Sequence, residues 1–116
     1  MSPPKDLIRL QQMLEYARDA SELIQEKSRH DLDADRPLGP ALVQLLEMMG
    51  AAADRVSPEY QAAYPSIPWT QIISLPNRLI HGYDTVDLDI LWKVMDQAVP
   101  GLAAELESIV LRASAT

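Results

Sequence analysis

"ALVQLLEMMGAAA", residues 41–53, is the most apolar run in the chain, and its spacing is that of a helix. Gln44 and Glu47 interrupt it, and it is too short to cross a bilayer. Extended to residues 37–55, it carries two adjacent apolar rows. Leu38, Ala41, Leu45, Met48 and Ala52 form one; Leu42, Leu46, Met49, Ala53 and Val56 form the other. One row is enough to lay a surface helix on a bundle. Two rows make a face wide enough to bury against more than one neighbour, so this helix is either central or part of a dimer seam.

Upstream, residues 3–28 read as one long helix, with Leu7, Leu10, Leu14, Ala17, Ser21 and Ile24 on one face. Ser2, Pro3 and Pro4 suit its start, because proline's missing N–H costs nothing in a first turn. "SRHDLDADRP" follows as a charged linker in which His30 is solvated surface. Downstream, Ser57-Pro58-Glu59 opens a short helix with a capping serine and a proline at its first position. "YPSIPW" is a turn, residues 70–83 form a further helix, and Asp84 to Asp87 form the next turn and cap. Leu88, Leu91, Met95 and Ala98, with Trp92 alongside, give another amphipathic helix. Pro100 opens the last one, with Leu102, Leu106, Ile109 and Ala113 inward. Short connections imply antiparallel neighbours. The expectation is an all-α, up-and-down bundle of five to six helices, with residues 1–116 as a single domain. Trp69 and Trp92 are expected to serve its core.

Composition narrows the function. Leu, Ala, Met, Glu and Gln favour helices over strands, and glycine occurs only four times. A net charge of −7 speaks against a general nucleic-acid coat, which needs a basic face, but leaves room for a small local RNA-cutting site or a basic partner. The absence of cysteine excludes disulfides and thiolate metal sites and fits a reducing cytoplasm. "MSPPKDLIRLQQ" lacks the apolar core of a signal peptide. A protein in solution, without membrane, metal or cofactor, is expected.

The chemistry concentrates in "SLPNRLIHGYDTVDLDILW", residues 74–92. On a helix at about 100° per residue, Asn77 lies roughly 40° from His81 and Arg78 roughly 60° on the other side, so the three share a face. Gly82 suits the release of the chain, and Tyr83 stands beside the imidazole. An imidazole takes and gives a proton near neutral pH, a guanidinium holds a phosphate, and an amide orients either. Those parts suit RNA cleavage through the neighbouring 2′-hydroxyl. A histidine at a helix C-terminus is also favoured by the dipole alone, which leaves a purely structural reading open.

The segment "YPSIPWTQIISLPNRLIHGYDTVDLDILWKVMDQAVPGL" resembles the C-terminal half of HepT-like proteins of the HEPN superfamily. The likeness is carried by "IPW", "NRLIHGY", "VDLDILW" and "VPGL". Upstream, "LLEMMGAAADRVSPE" is similar to that family's second helix and following turn. The resemblance implies an all-helical homodimer that is the toxin half of a toxin–antitoxin pair, acting as a metal-independent ribonuclease with its site assembled across the dimer. It implies a nucleotidyltransferase antitoxin of the MntA type, which adds AMP to the tyrosine of the His-x-Tyr element. By position, His81 is then the catalytic histidine and Tyr83 the modified residue. Asn77 matches the polar residue after the family's arginine.

Two positions depart from the pattern. The family arginine, separated from the histidine by four to six residues, should stand where this chain has Pro76, and a glutamate common after the glycine is here Ala51. Arg78 is too close to His81 to meet that spacing. Pro76 removes the N–H that would reach the Ile72 carbonyl, at about 3 kcal/mol in a regular helix, and predicts a kink or break between the two. Two functional readings follow. One is a ribonuclease in which His81 is the acid/base and Arg78, or an arginine of the second subunit, supplies the cation. The other is a catalytically inactive HEPN dimer that serves as binding partner or AMPylation substrate of a nucleotidyltransferase.

Overall fold

A computed structural model describes residues 4–81 and 85–115; the side chains of Ile80, His81 and Thr85 lie outside the description. Helix α1 spans Lys5–Leu23, the single turn α2 Asp31–Ala34, α3 Leu38–Asp54, α4 Pro58–Ala63 and α5 Trp69–Leu79. A minimal antiparallel ladder follows, β1 (Ile80–His81) against β2 (Thr85–Val86). Helix α6 (Leu88–Lys93) continues through a π-helical turn, Val94–Ala98, into α7 (Val99–Ser114). The fold is all-α, and with α2 set aside as a single turn the expected five to six helices are there.

Helix α3 is central, packing on α1, α5 and α6, while α1 also packs on α7. The two rows of α3 fare differently. Leu42, Leu46, Met49, Ala53 and Val56 are all buried, whereas in the other row Ala41 and Leu45 are half-buried and Met48 is exposed. On α1, Leu7, Leu10, Leu14 and Ala17 are buried as expected, joined by Met13 and Ala20. The helix stops at Leu23 rather than near 28, and Glu26 just beyond it takes a left-handed φ of 63°. The charged linker is not wholly irregular: it winds into α2, which buries Leu32, while His30 is exposed.

Polar contacts fix how these helices meet. The Asp6 carboxylate accepts from the Ser57 N–H at 2.8 Å and from its hydroxyl at 2.7 Å. The same hydroxyl oxygen accepts from the Tyr60 N–H and caps α4, the role its sequence position predicts. This clamp sets the start of α1 beside the end of α3, so the two run antiparallel. The Gln61 amide donates to the carbonyls of Ala53 and Val56, closing the end of α3. Arg29 donates to Asp89 at 2.8 Å and to Asp33 at 2.9 Å, tying the α1–α3 connection to α6. These partners hold its guanidinium above its ordinary pKa, the bond to Asp89 contributing most. Ahead of α7, the Val99 N–H donates to the Val94 carbonyl five residues back. Pro100, which has no N–H to offer, follows directly, and the widened π turn is the local response.

Candidate functional site

The chemistry-bearing segment begins on α5. Trp69 anchors its start: the ring is buried and its N–H donates to the carbonyls of Gln61 and Tyr64, both at 3.1 Å. The indole thus serves the core, as expected. Ile72 and Leu79 bury the inner face of α5. The helix runs through Pro76, so of the expected kink or break the break into two helices does not occur. The Ile72 carbonyl, left without the N–H of residue 76, lies against α3: a Cβ on Gly50 would stand 3.1 Å from that oxygen. Close approach at a glycine holds the segment, so tertiary packing overrides the local disfavour.

The expected helix over residues 70–83 ends early. Leu79 is its last residue, and the chain turns extended, pairing Ile80 with Val86 and His81 with Thr85. The Asp87 N–H donates to the Leu79 carbonyl at 2.9 Å, closing the ladder onto the helix end. The Asp87 carboxylate then caps α6 by accepting from Ile90 N–H at 3.0 Å. His81 therefore stands on a strand, not on the helical face of Asn77 and Arg78, and the angles expected from a continuous helix do not apply. Arg78 is exposed, and its guanidinium reaches back two turns to the Gln71 carbonyl at 3.3 Å. Side chains on a helix lean toward its N-terminus, which carries this one away from His81. Asn77 is exposed. Gly82, Tyr83 and Asp84 lie outside the described residues, as do Ser2 and Pro3.

Beside the hairpin lies an open cleft of about 870 Å³. Val86 of β2 and Leu88 of α6 form one wall, and Gly39, Val43, Glu47 and Ala51 of α3 form the other. Its polar side chains are Gln44 and Glu47. Neither is evident from the motif around His81. For Glu47 the signal was the four-residue step Val43–Glu47–Ala51, which places a carboxylate one turn before the small Ala51 on the face toward the hairpin. Among the described residues no group of three or more His, Asp or Glu is placed to hold a metal ion. No helix there is long and apolar enough to cross a membrane.

The comparisons with known proteins bear on this segment. The family model described as "Ribonuclease HepT-like" matches residues 13–109, from within α1 through most of α7. The chain belongs to the HepT-like ribonuclease family. A Thermococcus cleftensis protein named "Probable ribonuclease HepT" is 31% identical over 100 residues, which is 83% of this chain and 91% of that one. A Methanocaldococcus jannaschii protein named "Putative RNase MJ1380" is 28% identical over 100 residues, 86% of this chain and 92% of the other. No solved structure gives a significant match.

Proposed function

We propose that this HepT-like chain is a metal-independent endoribonuclease, with His81 as its acid/base group, and the toxin of a two-gene pair. The observation that carries the reading is the junction of α5 and the hairpin. A helix packed on α3 delivers the histidine onto a ladder that also forms the wall of an open cleft. In the reaction, the imidazole accepts the proton of a ribose 2′-hydroxyl, and the 2′-oxygen attacks the adjacent phosphorus. The P–O5′ bond breaks and the 5′-oxygen takes the proton that the imidazolium returns, directly or through water, giving a 2′,3′-cyclic phosphate and a 5′-hydroxyl. Asn77 orients the phosphate. Arg78, exposed and donating to the Gln71 carbonyl, supplies positive charge when its side chain swings forward.

The same reading makes residues 1–116 one domain that works as a cytoplasmic homodimer. Leu23 on α1 and Ala41, Leu45 and Met48 on α3 support the dimer, because they line a shallow, incompletely covered surface continuous with the cleft through Gln44 and Met48. It also makes Tyr83 the residue to which an MntA-like nucleotidyltransferase adds AMP. Incubation of purified protein with RNA and with DNA of the same sequence, without metal, tests the activity. RNA alone should be cut, since DNA lacks the attacking hydroxyl; cleavage of both would point to a different chemistry.

The second reading, an inactive dimer that engages the nucleotidyltransferase, draws on Pro76 within α5 and Ala51 in the cleft wall. Both positions are apolar where the family resemblance expects charge. Mass measurement after incubation with the partner and ATP separates the two functions. Addition of AMP to an RNA-inert protein is the outcome this reading predicts.

A further inference from the structure

We infer that a second, more enclosed cavity, between α3, α5 and α7, binds a small monocarboxylate with a compact apolar body, its carboxylate on Arg78. The cavity holds about 150 Å³, walled by Leu46 and Met49 of α3, Ile72 and Leu75 of α5, and Val99 and Leu102 of α7. An enclosed aliphatic cavity of this size takes up a guest about the size of benzene; this recess is open on one side, where Gln71 and Arg78 supply its polar lining. Its one charged lining residue is Arg78. Arg18 and Arg29 have carboxylate partners, whereas no ion pair is formed by Arg78 among the described residues; its guanidinium rests on the neutral Gln71 carbonyl. A guanidinium with open donors at the lip of an apolar recess matches a carboxylate on an apolar body, because the planar fork pairs with two oxygens at once.

The lining also argues against other guests. An amine would meet the guanidinium. A nucleobase would find no aromatic side chain to stack on, since none lines the recess. Part of the wall is the π turn, through Val94 and Ala98, and π turns often mark ligand sites. A bound carboxylate would keep Arg78 folded back beside Gln71. If Arg78 serves the phosphate as proposed above, occupancy therefore slows RNA cleavage; that consequence rests on the ribonuclease reading, while binding itself does not.

Calorimetric titration of the full chain with benzoate and with hexanoate tests the site, with benzyl alcohol as the uncharged control. Saturable binding of at least one acid is expected, with benzyl alcohol weaker by about tenfold or more. Arg78→Met, an exposed change that leaves the core intact, should weaken acid binding by a similar factor. Ala98→Phe fills the recess from its exposed side and should abolish binding while the far-ultraviolet spectrum stays helical. Should that variant fail to fold, shifts of the Leu75 and Leu102 methyl resonances on adding benzoate locate the guest instead. No saturable binding of either acid, equal binding of the alcohol, or binding unaffected by Arg78→Met would overturn the inference. None of these readouts uses RNA.

Discussion

Gly50 and Ile72 are in backbone contact: a Cβ added to the glycine would come within 3.1 Å of the isoleucine carbonyl oxygen. This is the point where α3 and α5 touch, one turn before Pro76, and it sets how α5 presents the hairpin. Alanine here gains about 1 kcal/mol of helix propensity, and that gain offsets the few tenths of an ångström by which α5 must move. Gly50→Ala should therefore change stability little. Gly50→Val forces two more carbons against a backbone that cannot turn aside and should cost about 2–3 kcal/mol. Urea denaturation of both variants checks the contrast; equal effects would contradict the close approach.

Pro76 gives a second prediction with two arms. Pro76→Ala restores an N–H to the Ile72 carbonyl and should stabilise the chain by about 1–3 kcal/mol in the same assay. Pro76→Arg places a guanidinium where the family resemblance expects one. A preorganised charge of this kind is worth about a hundredfold or more in rate, so RNA cleavage should rise by that order. Equal gains in Pro76→Ala and Pro76→Arg would assign the proline's effect to the backbone alone.

The clamp between Asp6 and Ser57 does two tasks with one hydroxyl. Ser57→Ala loses the cap of α4 and the hydroxyl bond to Asp6 Oδ2, while the backbone N–H still donates to Oδ1, for an expected cost of about 1–2 kcal/mol. Asp6→Ala keeps the cap and should cost less. In a double-mutant cycle the pair should show coupling of about 0.5–2 kcal/mol; additivity would mean that the clamp does not hold α1 to α4.

At low pH the entry to α2 should loosen. The Asp31 carboxylate accepts from the Ser28 N–H at 2.6 Å and from its hydroxyl at 3.3 Å. The bond from the Ser28 backbone, above all, holds its pKa below the ordinary aspartate range. A lowered folded-state value means that the stabilisation is complete above the unfolded pKa of about 4 and is lost as pH falls through the folded value. Protection of the Ser28 amide, measured against its intrinsic exchange rate, should fall below about pH 4, and in Asp31→Asn this dependence should flatten.

Much of the fold was legible because its signals are local. The two rows of α3, the Ser57 cap and the Asp87 cap each lie within a few residues of what they determine, and each appears where the spacing puts it. The end of α5 was not legible in the same way. Leu79 and Ile80 continue the apolar period of the helix, yet the chain leaves the helix between them because Ile80 and His81 find strand partners in Thr85 and Val86. That β-branched pair was a weak signal, overshadowed by Gly82 as a helix end. Angular spacing placed Arg78 near His81, but rotation about an axis carries no information on which way along the axis a long side chain lies. The cleft wall of Gln44 and Glu47 depends on how α3 meets the hairpin, a contact distant in sequence.

The central claim is that His81 transfers the proton in a cleavage driven by the RNA's own 2′-hydroxyl. Digestion of a defined RNA in excess chelator, followed by analysis of the fragment ends, tests it most directly. Wild-type protein should yield 2′,3′-cyclic phosphate and 5′-hydroxyl ends, and His81→Ala should lose at least about a hundredfold in rate. Equal cleavage by His81→Ala, or 5′-phosphate ends that appear only with added metal, would contradict it.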